Sequence, residues 1–207
     1  VINKKIAELK ENEHITSLGI HFHRKSQNIA EWNLQYEVEH MFTPETLEAV
    51  DVLNIGGGLP SIYTNTNEKI FEGIFKRIEE LKTFLHEKNI KLLMEPGRFI
   101  AAPAGKLHTT IQLVYDNNII VDASVYNTDM DALIIPVKLL VEGELEKGQG
   151  QPYVIKGRTP CNMDLFRYRV WLHNPKKGEE LVFLNAGAYN FTTDFCDLDK
   201  LETKVIA

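Results

Sequence analysis

The sequence lacks the patterns of membrane, secreted and disulfide-stabilised proteins. No apolar run in its 207 residues reaches the roughly 18–20 residues that a membrane span requires, and the polar start shows no signal peptide. Only two cysteines are present, Cys161 and Cys196, and they form no C-x-x-C pair. We therefore expect a soluble protein in a reducing, cytoplasmic compartment.

An excess of positive charge is also missing. The net charge is −6, and acidic and basic residues are interspersed along the chain. This balance argues against nucleic acid or an anionic membrane surface as the main partner. A hydrophobic fraction of 43% and a charged fraction of 25% are typical of a globular protein, and the length suits one large domain or two smaller ones.

The first half of the chain alternates between strand and helix patterns. Apolar runs predict three buried strands, at residues 17–23, 51–55 and 90–94. Helical patterns flank these runs, over residues 4–12, from Thr43 onward and over residues 70–85. This alternation is typical of parallel βα units.

From Lys106 the pattern changes to short strand-like segments separated by Asn, Gly and Lys turns. The segments lie at residues 106–115, 117–126, 132–144, 151–157 and 179–189. They predict a mostly antiparallel β domain. We place the boundary near residues 103–106, which divides the chain into an α/β domain (residues 1–105) and a β domain (residues 106–207).

Polar and glycine residues follow each predicted strand of the first half. A histidine-rich segment (residues 21–26) follows the first strand, three glycines (residues 56–58) follow the second, and Glu-Pro-Gly-Arg (residues 95–98) follows the third. Sites in parallel α/β proteins lie at the carboxyl ends of strands, so these groups converge if the strands are neighbours. Backbone N–H groups of a glycine-rich turn suit a phosphate, and Arg98 would add a bidentate charge partner.

Each of these features also has a simpler structural explanation. A glycine triplet is often a tight turn without a ligand, and this one matches neither the P-loop nor G-x-G-x-x-G. His21 and His23 point to one face of a strand and could bind a metal, but no third ligand stands at a suitable spacing, so we predict no metal site. Glu95 could end its strand in a salt bridge with Arg98.

Five segments occur in an order that points to a known family. They are GIHFHRKSQ (19–27), LNIGGG (53–58), EPGRFIAAPAG (95–105), GRTPCNMD (157–164) and NAGAY (185–189). Together they resemble the ornithine/diaminopimelate/arginine decarboxylases, pyridoxal-phosphate enzymes with an alanine-racemase-like barrel and a β domain. The resemblance extends from about Leu18 to Tyr189. It implies an α/β then all-β chain, with the last part of a parallel (β/α)8 barrel before a mostly antiparallel β domain.

The resemblance implies a binding site for pyridoxal 5′-phosphate. His23 matches the histidine that stacks on the pyridine ring, and Glu95 matches the carboxylate that pairs with the pyridine nitrogen. The other cofactor-binding residues that the resemblance implies are Ser26, Gly56, Gly57, Gly58, Gly97, Arg98 and Tyr189.

The resemblance also implies a lyase that decarboxylates an amino acid in polyamine or lysine biosynthesis. It implies catalytic roles for His23, Glu95 and Cys161, and Cys161 matches a cysteine supplied across the interface of a homodimer with shared active sites. A buried apolar cysteine is the alternative for Cys161, and a half-buried strand tyrosine is the alternative for Tyr126. The candidate substrate-binding residues are Arg98, Asn162, Asp164 and Tyr126.

The largest departure from the family pattern is a missing lysine. In the family the Schiff-base lysine lies in a motif like Y-x-x-K-A-N, and this motif does not occur in the sequence. We therefore expect that an N-terminal part is missing and that the chain belongs to a longer or two-piece enzyme.

Two smaller departures concern the substrate. Lys25 replaces the glycine that usually precedes the serine, and Asn162 replaces an acid that helps to hold a distal amine. Asp129, Asp131 or Asp164 could substitute, or could be turn residues. The substrate stays open among ornithine, lysine, arginine, diaminopimelate and carboxylated polyamines such as carboxynorspermidine.

A second function from another class is a non-catalytic decarboxylase relative that binds a partner subunit. The missing lysine supports it, whereas the intact cofactor-binding residues argue against it. Amino-acid racemase activity on the same barrel is a third hypothesis, but the EPGR and cysteine segments fit the decarboxylases better.

Overall fold

The computed structural model describes residues 1–190 and 192–206. The chain divides into two compact units, the first made of residues 1–60 and 67–97 and the second of residues 61–66 and the chain from Arg98 onward. This division follows Gly97, a few residues before the boundary predicted at 103–106. The reason is that Ala101 and Ala102 pack with the hydrophobic core of the second unit.

The first unit contains a three-stranded parallel sheet in the order β1-β2-β3. Its strands are β1 (Gly19–His21), β2 (Val52–Asn54) and β3 (Lys91–Leu93). Its helices are α1 (Ile2–Lys10), α2 (Leu34–Met41), α3 (Pro44–Ala49) and α4 (Ile70–Glu87). The three predicted strands are present but shorter than their apolar runs.

Local chemistry explains the helix boundaries of this unit. Thr43 caps α3 by accepting a hydrogen bond from the Thr46 N–H at 3.3 Å, and Pro44 occupies the first turn. Helix α4 buries Ile74, Leu81 and Leu85, as its apolar spacing predicts. Helix α2 was not predicted, because only Leu34 and Val38 mark its buried face.

The second unit is built on a six-stranded mixed sheet in the order β6-β9-β4-β5-β7-β8. Its strands are β4 (Leu107–Tyr115), β5 (Asn118–Val121), β6 (Leu140–Val141), β7 (Gln151–Lys156), β8 (Leu165–Leu172) and β9 (Glu180–Leu184). Its helices are α5 (Gly97–Ala101), which starts at the boundary, α6 (Val125–Thr128), α7 (Asp131–Ile134) and two 3-10 turns, Ala102–Ala104 and Phe195–Asp197. All strand pairs are antiparallel except β5 with β7.

Three sequence predictions for this unit need correction. The strand predicted over 117–126 ends at Val121, because Ser124 caps α6. The segment predicted as a strand over 132–144 begins with helix α7 and holds only the short strand β6. Strand β8 was not predicted, because charged residues interrupt its apolar pattern, including Arg167, which is buried.

Arg167 connects the two edge strands of this sheet. It lies on β8 and donates hydrogen bonds to the Leu139 carbonyl, just before β6, and to the Glu144 carboxylate, just after β6, the latter at 2.7 and 3.0 Å. The Leu145 N–H also donates to the Trp171 carbonyl on β8 at 2.9 Å. These bonds cover sheet edges that would otherwise present unpaired backbone groups.

Candidate cofactor site

The carboxyl ends of the three parallel strands lie side by side in the first unit. His21, Asn54 and Leu93, the last residues of β1, β2 and β3, are aligned in register. The residues that follow the strands therefore meet at one edge of the sheet, as the sequence predicts for neighbouring strands. This edge carries the glycine triplet, His23 and Glu95.

Glu95 is held at this edge by polar neighbours. The Asn54 side-chain amide donates a hydrogen bond to Glu95 Oε1 at 2.8 Å, and His21 Nε2 lies 3.7 Å from Glu95 Oε2. The carboxylate stays 53% exposed, so it is oriented and still accessible. Asn54 was not singled out from the sequence, although a polar residue that ends an apolar strand is a usable signal.

The glycine triplet is required by close approach of other backbone segments. Gly56 and Gly58 have φ angles of 64° and 98°, which favour glycine. A Cβ on Gly57 would lie 2.8 Å from the Glu95 carbonyl oxygen and 3.0 Å from His23 Nε2. The triplet thus places His23 and the end of β3 against the turn, which accounts for the glycines before any ligand is considered.

The turn nevertheless retains donors for an anion. The Gly56 N–H is used internally, because it donates to Asn54 Oδ1 at 2.9 Å. Within the described part of the chain, the N–H groups of Gly57 and Gly58 have no hydrogen-bond acceptor. Two free N–H groups in a glycine turn are the donor set that a phosphate requires. The residues present therefore fit a phosphate-bearing ligand.

The charges of the segment after β1 are engaged by nearby glutamates. Lys25 Nζ lies 2.8 Å from Glu31 Oε1, and Arg24 forms an ion pair with Glu37. Lys25 stands where the family usually has glycine, and its charge lies in an exposed salt bridge. Such a salt bridge contributes little to the stability of the fold. His23, which is exposed, contacts the Arg24 carbonyl through Nδ1, and Ser26 lies half-buried in the following turn.

Arg98, at the start of the second unit, is buried in a polar cluster. Its guanidinium is 5% exposed and makes a bidentate ion pair with Asp131, with Nη2 at 2.9 Å from Oδ1. Nη1 also donates to the Tyr63 hydroxyl at 3.1 Å, and the Tyr189 ring centroid lies 4.9 Å from Cζ. Burial lowers the pKa of Arg98, but the hydrogen bonds with Asp131 and Tyr63 outweigh it and hold the pKa above its usual range.

Asp129 lies in the same unit and differs from Asp131. It is fully buried, and neither carboxylate oxygen has a hydrogen-bond partner among the described residues. Burial first, and the neighbouring Asp131 charge second, raise the pKa of Asp129 well above its usual range, and the nearby Asn190 side chain, whose Nδ2 makes no hydrogen bond to a described residue, only partly opposes this rise. Tyr189, which has a left-handed φ of 60°, is 64% exposed beside this cluster. Tyr63 was not singled out, and its sequence context contains no signal for this contact.

Cys161 lies in an exposed turn between β7 and β8. Its Sγ is 2.9 Å from the Tyr126 hydroxyl, and Asn162 Oδ1 is 3.9 Å from the sulfur. Asp164, three residues on, is only 1% exposed and accepts hydrogen bonds within its own surroundings. The structure therefore brings Tyr126, Cys161 and Asn162 together, and it uses Asp164 to hold the turn.

Asn162 stands where the family has an acid, and Asp129, Asp131 and Asp164 were the acids that could take over its role. Among the described residues, none of these three is a free anion. Asp131 pairs with Arg98, Asp164 is saturated by its turn, and the raised pKa of Asp129 favours its neutral form.

In the described part of the chain there is no group of three or more His, Cys, Asp and Glu side chains arranged to hold a metal. No helix found there is long and apolar enough to cross a membrane.

Residues 2–102 match the family model described as pyridoxal-dependent decarboxylase, pyridoxal binding domain. These residues belong to the pyridoxal-dependent decarboxylase family. The cofactor of this family is pyridoxal 5′-phosphate, as the sequence resemblance implied.

The relatives of this pyridoxal-dependent decarboxylase segment include enzymes with several substrates. The diaminopimelate decarboxylase of Aquifex aeolicus is 28% identical over 188 residues, which cover 86% of this chain and 44% of the relative. The chain thus spans less than half of that relative.

Two solved structures have a fold similar to that of this chain. The lysine/ornithine decarboxylase of Vibrio vulnificus, solved with cadaverine, has a TM-score of 0.70 at 23% identity, with 96% of this chain and 58% of that chain covered. The carboxynorspermidine decarboxylase of Campylobacter jejuni, solved with norspermidine, has a TM-score of 0.69 at 20% identity, with 93% and 56% covered. At these identities the likeness shows the fold alone.

Proposed function

We propose that this chain is the C-terminal part of a pyridoxal-phosphate-dependent decarboxylase that acts on a basic amino acid or a carboxylated polyamine. The single observation that carries the proposal is the edge of the parallel sheet, where Glu95, oriented by Asn54, lies beside His23 and the free N–H groups of the glycine turn. The match of residues 2–102 to the pyridoxal binding domain supports the same assignment.

The chemistry assigns a task to each of these groups. When bound, pyridoxal phosphate supplies the electron sink for the electron pair left by departing CO₂. Glu95 would hold a proton on the ring nitrogen, and His23 would set the plane of the ring. The Gly57 and Gly58 N–H groups would hold the phosphate. Arg98 shares its charge with Asp131, so we propose that Arg98 and Tyr189 offer the ligand directed contacts rather than a full positive charge.

Ser26, Gly56 and Gly97 complete the proposed cofactor-binding set. Cys161 is proposed as the acid that returns a proton to the substrate carbon after CO₂ leaves, supplied across a homodimer interface. The homodimer and its shared active sites remain predictions from the family resemblance, and the cytoplasmic setting remains a prediction from the cysteine content.

The two outer strands of the parallel sheet, β1 and β3, support the proposal that further barrel strands come from elsewhere in the enzyme. Among the described residues, β1 and β3 each pair with β2 alone, and Leu93 on β3 is 39% exposed. Parallel sheets normally bury both faces, and sheets most often have about four to six strands. We therefore propose that residues 1–105 are the last part of the barrel of a longer or two-piece enzyme, followed by the β domain at 106–207.

The substrate is proposed only at the level of its class: ornithine, lysine, arginine, diaminopimelate or carboxynorspermidine. Asn162 is neutral and cannot pair with an ammonium by charge. Asp131 and Asp164 are engaged by other groups, and burial disfavours the charged form of Asp129, so the three acids do not select a basic substrate by themselves.

The test is the replacement Glu95→Ala in the purified enzyme, with CO₂ release measured for each amino acid of the class. We expect turnover to be lost while the cofactor absorbance is retained, because the phosphate contacts do not depend on Glu95. Glu87→Ala, an exposed glutamate that ends α4, is the matched control and should leave turnover unchanged. Near-normal turnover in the Glu95 variant would remove Glu95 from the mechanism.

Mass spectrometry after borohydride reduction separates the enzyme from its non-catalytic alternative. Reduction links the cofactor covalently to the lysine that holds it. A pyridoxyl adduct on a longer or second polypeptide in the preparation supports the decarboxylase. Absence of any adduct in a preparation that contains only this chain favours the partner-binding relative.

A further inference from the structure

The turn that carries Cys161 is organised by one buried carboxylate. Asp164 accepts hydrogen bonds from the Thr159 N–H at 3.0 Å and from the Thr159 hydroxyl at 2.7 Å. A Cβ on Gly157 would lie 2.1 Å from Asp164 Oδ1, so only glycine leaves room for this carboxylate. The Asp164 N–H donates to the Cys161 carbonyl at 3.1 Å and closes the turn.

The same carboxylate also fixes the helix that carries Tyr126. Asp164 Oδ1 accepts a hydrogen bond from the Val125 N–H at 2.9 Å, and Val125 is the first residue of α6. Ser124 caps this helix by accepting from the Tyr126 N–H at 3.2 Å. Asp164 therefore sets the position of Tyr126 relative to Cys161, although the two residues are 35 positions apart in the chain.

The Tyr126 hydroxyl and the Cys161 sulfur meet at 2.9 Å, within hydrogen-bond distance. The hydrogen bond with Tyr126 and the backbone N–H groups of Met163 and Asp164 lower the pKa of Cys161, against the opposing effects of burial and the Asp164 charge. The same hydrogen bond raises the pKa of Tyr126 to about 12, so the tyrosine keeps the proton that it donates. Among the described residues, Asp164 and Cys196 also raise the pKa of Tyr126, and Cys196 lies on the 3-10 turn that packs against α6.

We propose that Tyr126 is a positioning residue that donates a hydrogen bond to the Cys161 sulfur and keeps this thiol poised to release its proton. The use of that proton in decarboxylation rests on the proposed function, whereas the coupling of Tyr126 to Cys161 does not. This role acts through Cys161 and is separate from the predicted contact of Tyr126 with the substrate, which stays a prediction.

The test measures the reactivity of Cys161 toward iodoacetamide between pH 6 and 10 in the purified protein. Trypsin separates the two cysteines of this chain, because Cys161 lies between Arg158 and Arg167 and Cys196 lies between Lys177 and Lys200. Alkylation of each peptide is quantified by mass spectrometry, and Cys196 serves as the reference within the same molecule. Neither cofactor nor substrate is needed, so the result does not depend on decarboxylase activity.

Tyr126→Phe removes only the hydroxyl. We expect the midpoint of the Cys161 profile to move to higher pH and the rate at pH 7 to fall about threefold. If the midpoint rises by about one pH unit, the thiolate fraction at pH 7 falls about tenfold. The greater nucleophilicity of the more basic thiol offsets about threefold of this loss. Above the new midpoint the thiol is ionised, and the alkylation rate there should not fall. A lower rate there would instead mean that the reagent reaches the sulfur less easily. Tyr115→Phe, an exposed tyrosine at the end of β4, is the matched control and should leave the profile unchanged.

An unchanged midpoint in Tyr126→Phe overturns the proposal. If this variant does not fold, the wild-type protein decides the matter by comparison of its native and guanidinium-unfolded states. The proposal requires a lower midpoint for Cys161 in the native protein than in the unfolded one. An equal or higher native midpoint overturns it.

Discussion

Two buried aspartates, two positions apart, should respond in opposite directions when each is replaced by asparagine. Asp131 is 4% exposed and forms the bidentate pair with Arg98, whereas Asp129 is fully buried without a hydrogen-bond partner among the described residues. Both replacements remove one potential charge and keep the shape of the side chain. The two replacements therefore compare a carboxylate that pairs with a buried cation with one that has no such partner.

Asp131→Asn leaves the Arg98 guanidinium buried without its counter-charge. Breaking a buried ion pair by removal of one partner costs about 3–5 kcal/mol. For a chain of this size, such a loss lowers the midpoint of urea unfolding by at least about 1 M. The contact between Arg98 and Tyr63 remains in the variant but cannot neutralise the charge.

Asp129→Asn should instead stabilise the protein at neutral and alkaline pH. The native pKa of Asp129 is raised, so the native state binds a proton that the unfolded chain has released above its ordinary pKa of about 3.9. Stability from this group is complete below that pH and is lost as pH rises toward the native pKa, by up to about 1.4 kcal/mol per pH unit. Asparagine is neutral at every pH, so the variant lacks this loss.

The assay is urea unfolding followed by circular dichroism at pH 4, 6 and 8 for both variants and the wild type. We expect Asp129→Asn to match the wild type at pH 4 and to exceed it at pH 8, while Asp131→Asn is less stable throughout. The reasoning holds that Asp131 carries the charge that pairs with Arg98 and that burial favours the protonated form of Asp129. Equal destabilisation by both replacements at pH 8 would refute it.

Two further predictions concern the glycine turn and the ion pair of Arg167 with Glu144. Gly57→Ala should destabilise the first unit by about 1–3 kcal/mol, because the added methyl would meet the Glu95 carbonyl oxygen at 2.8 Å. Gly73→Ala, in α4 with open space around it, is the control and should stabilise by about 0.5–1 kcal/mol in the same urea titration. Arg167→Leu should cost about 3 kcal/mol by leaving Glu144 unpaired, and the added change Glu144→Gln should recover part of this loss in thermal unfolding.

The element pattern of the first half was predicted well because its signals are local. Helix α4 and the three strands follow from apolar spacing, and α3 from the Thr-Pro-Glu start. In the second half, one-turn helices α6 and α7 replaced predicted strand residues. A single helical turn is too short for its periodicity to show in the sequence, and its caps act through side-chain contacts.

The sequence by itself determined the alternation of elements, the glycine turn and the family segments, since each depends on residues close together in the chain. Only the tertiary structure decided which side chains meet. Arg98 pairs with Asp131 across 33 positions, and Tyr126 meets Cys161 across 35. Such contacts depend on strand order and on the placement of short helices, because the partner of a buried charge is chosen by geometry and not by spacing along the chain.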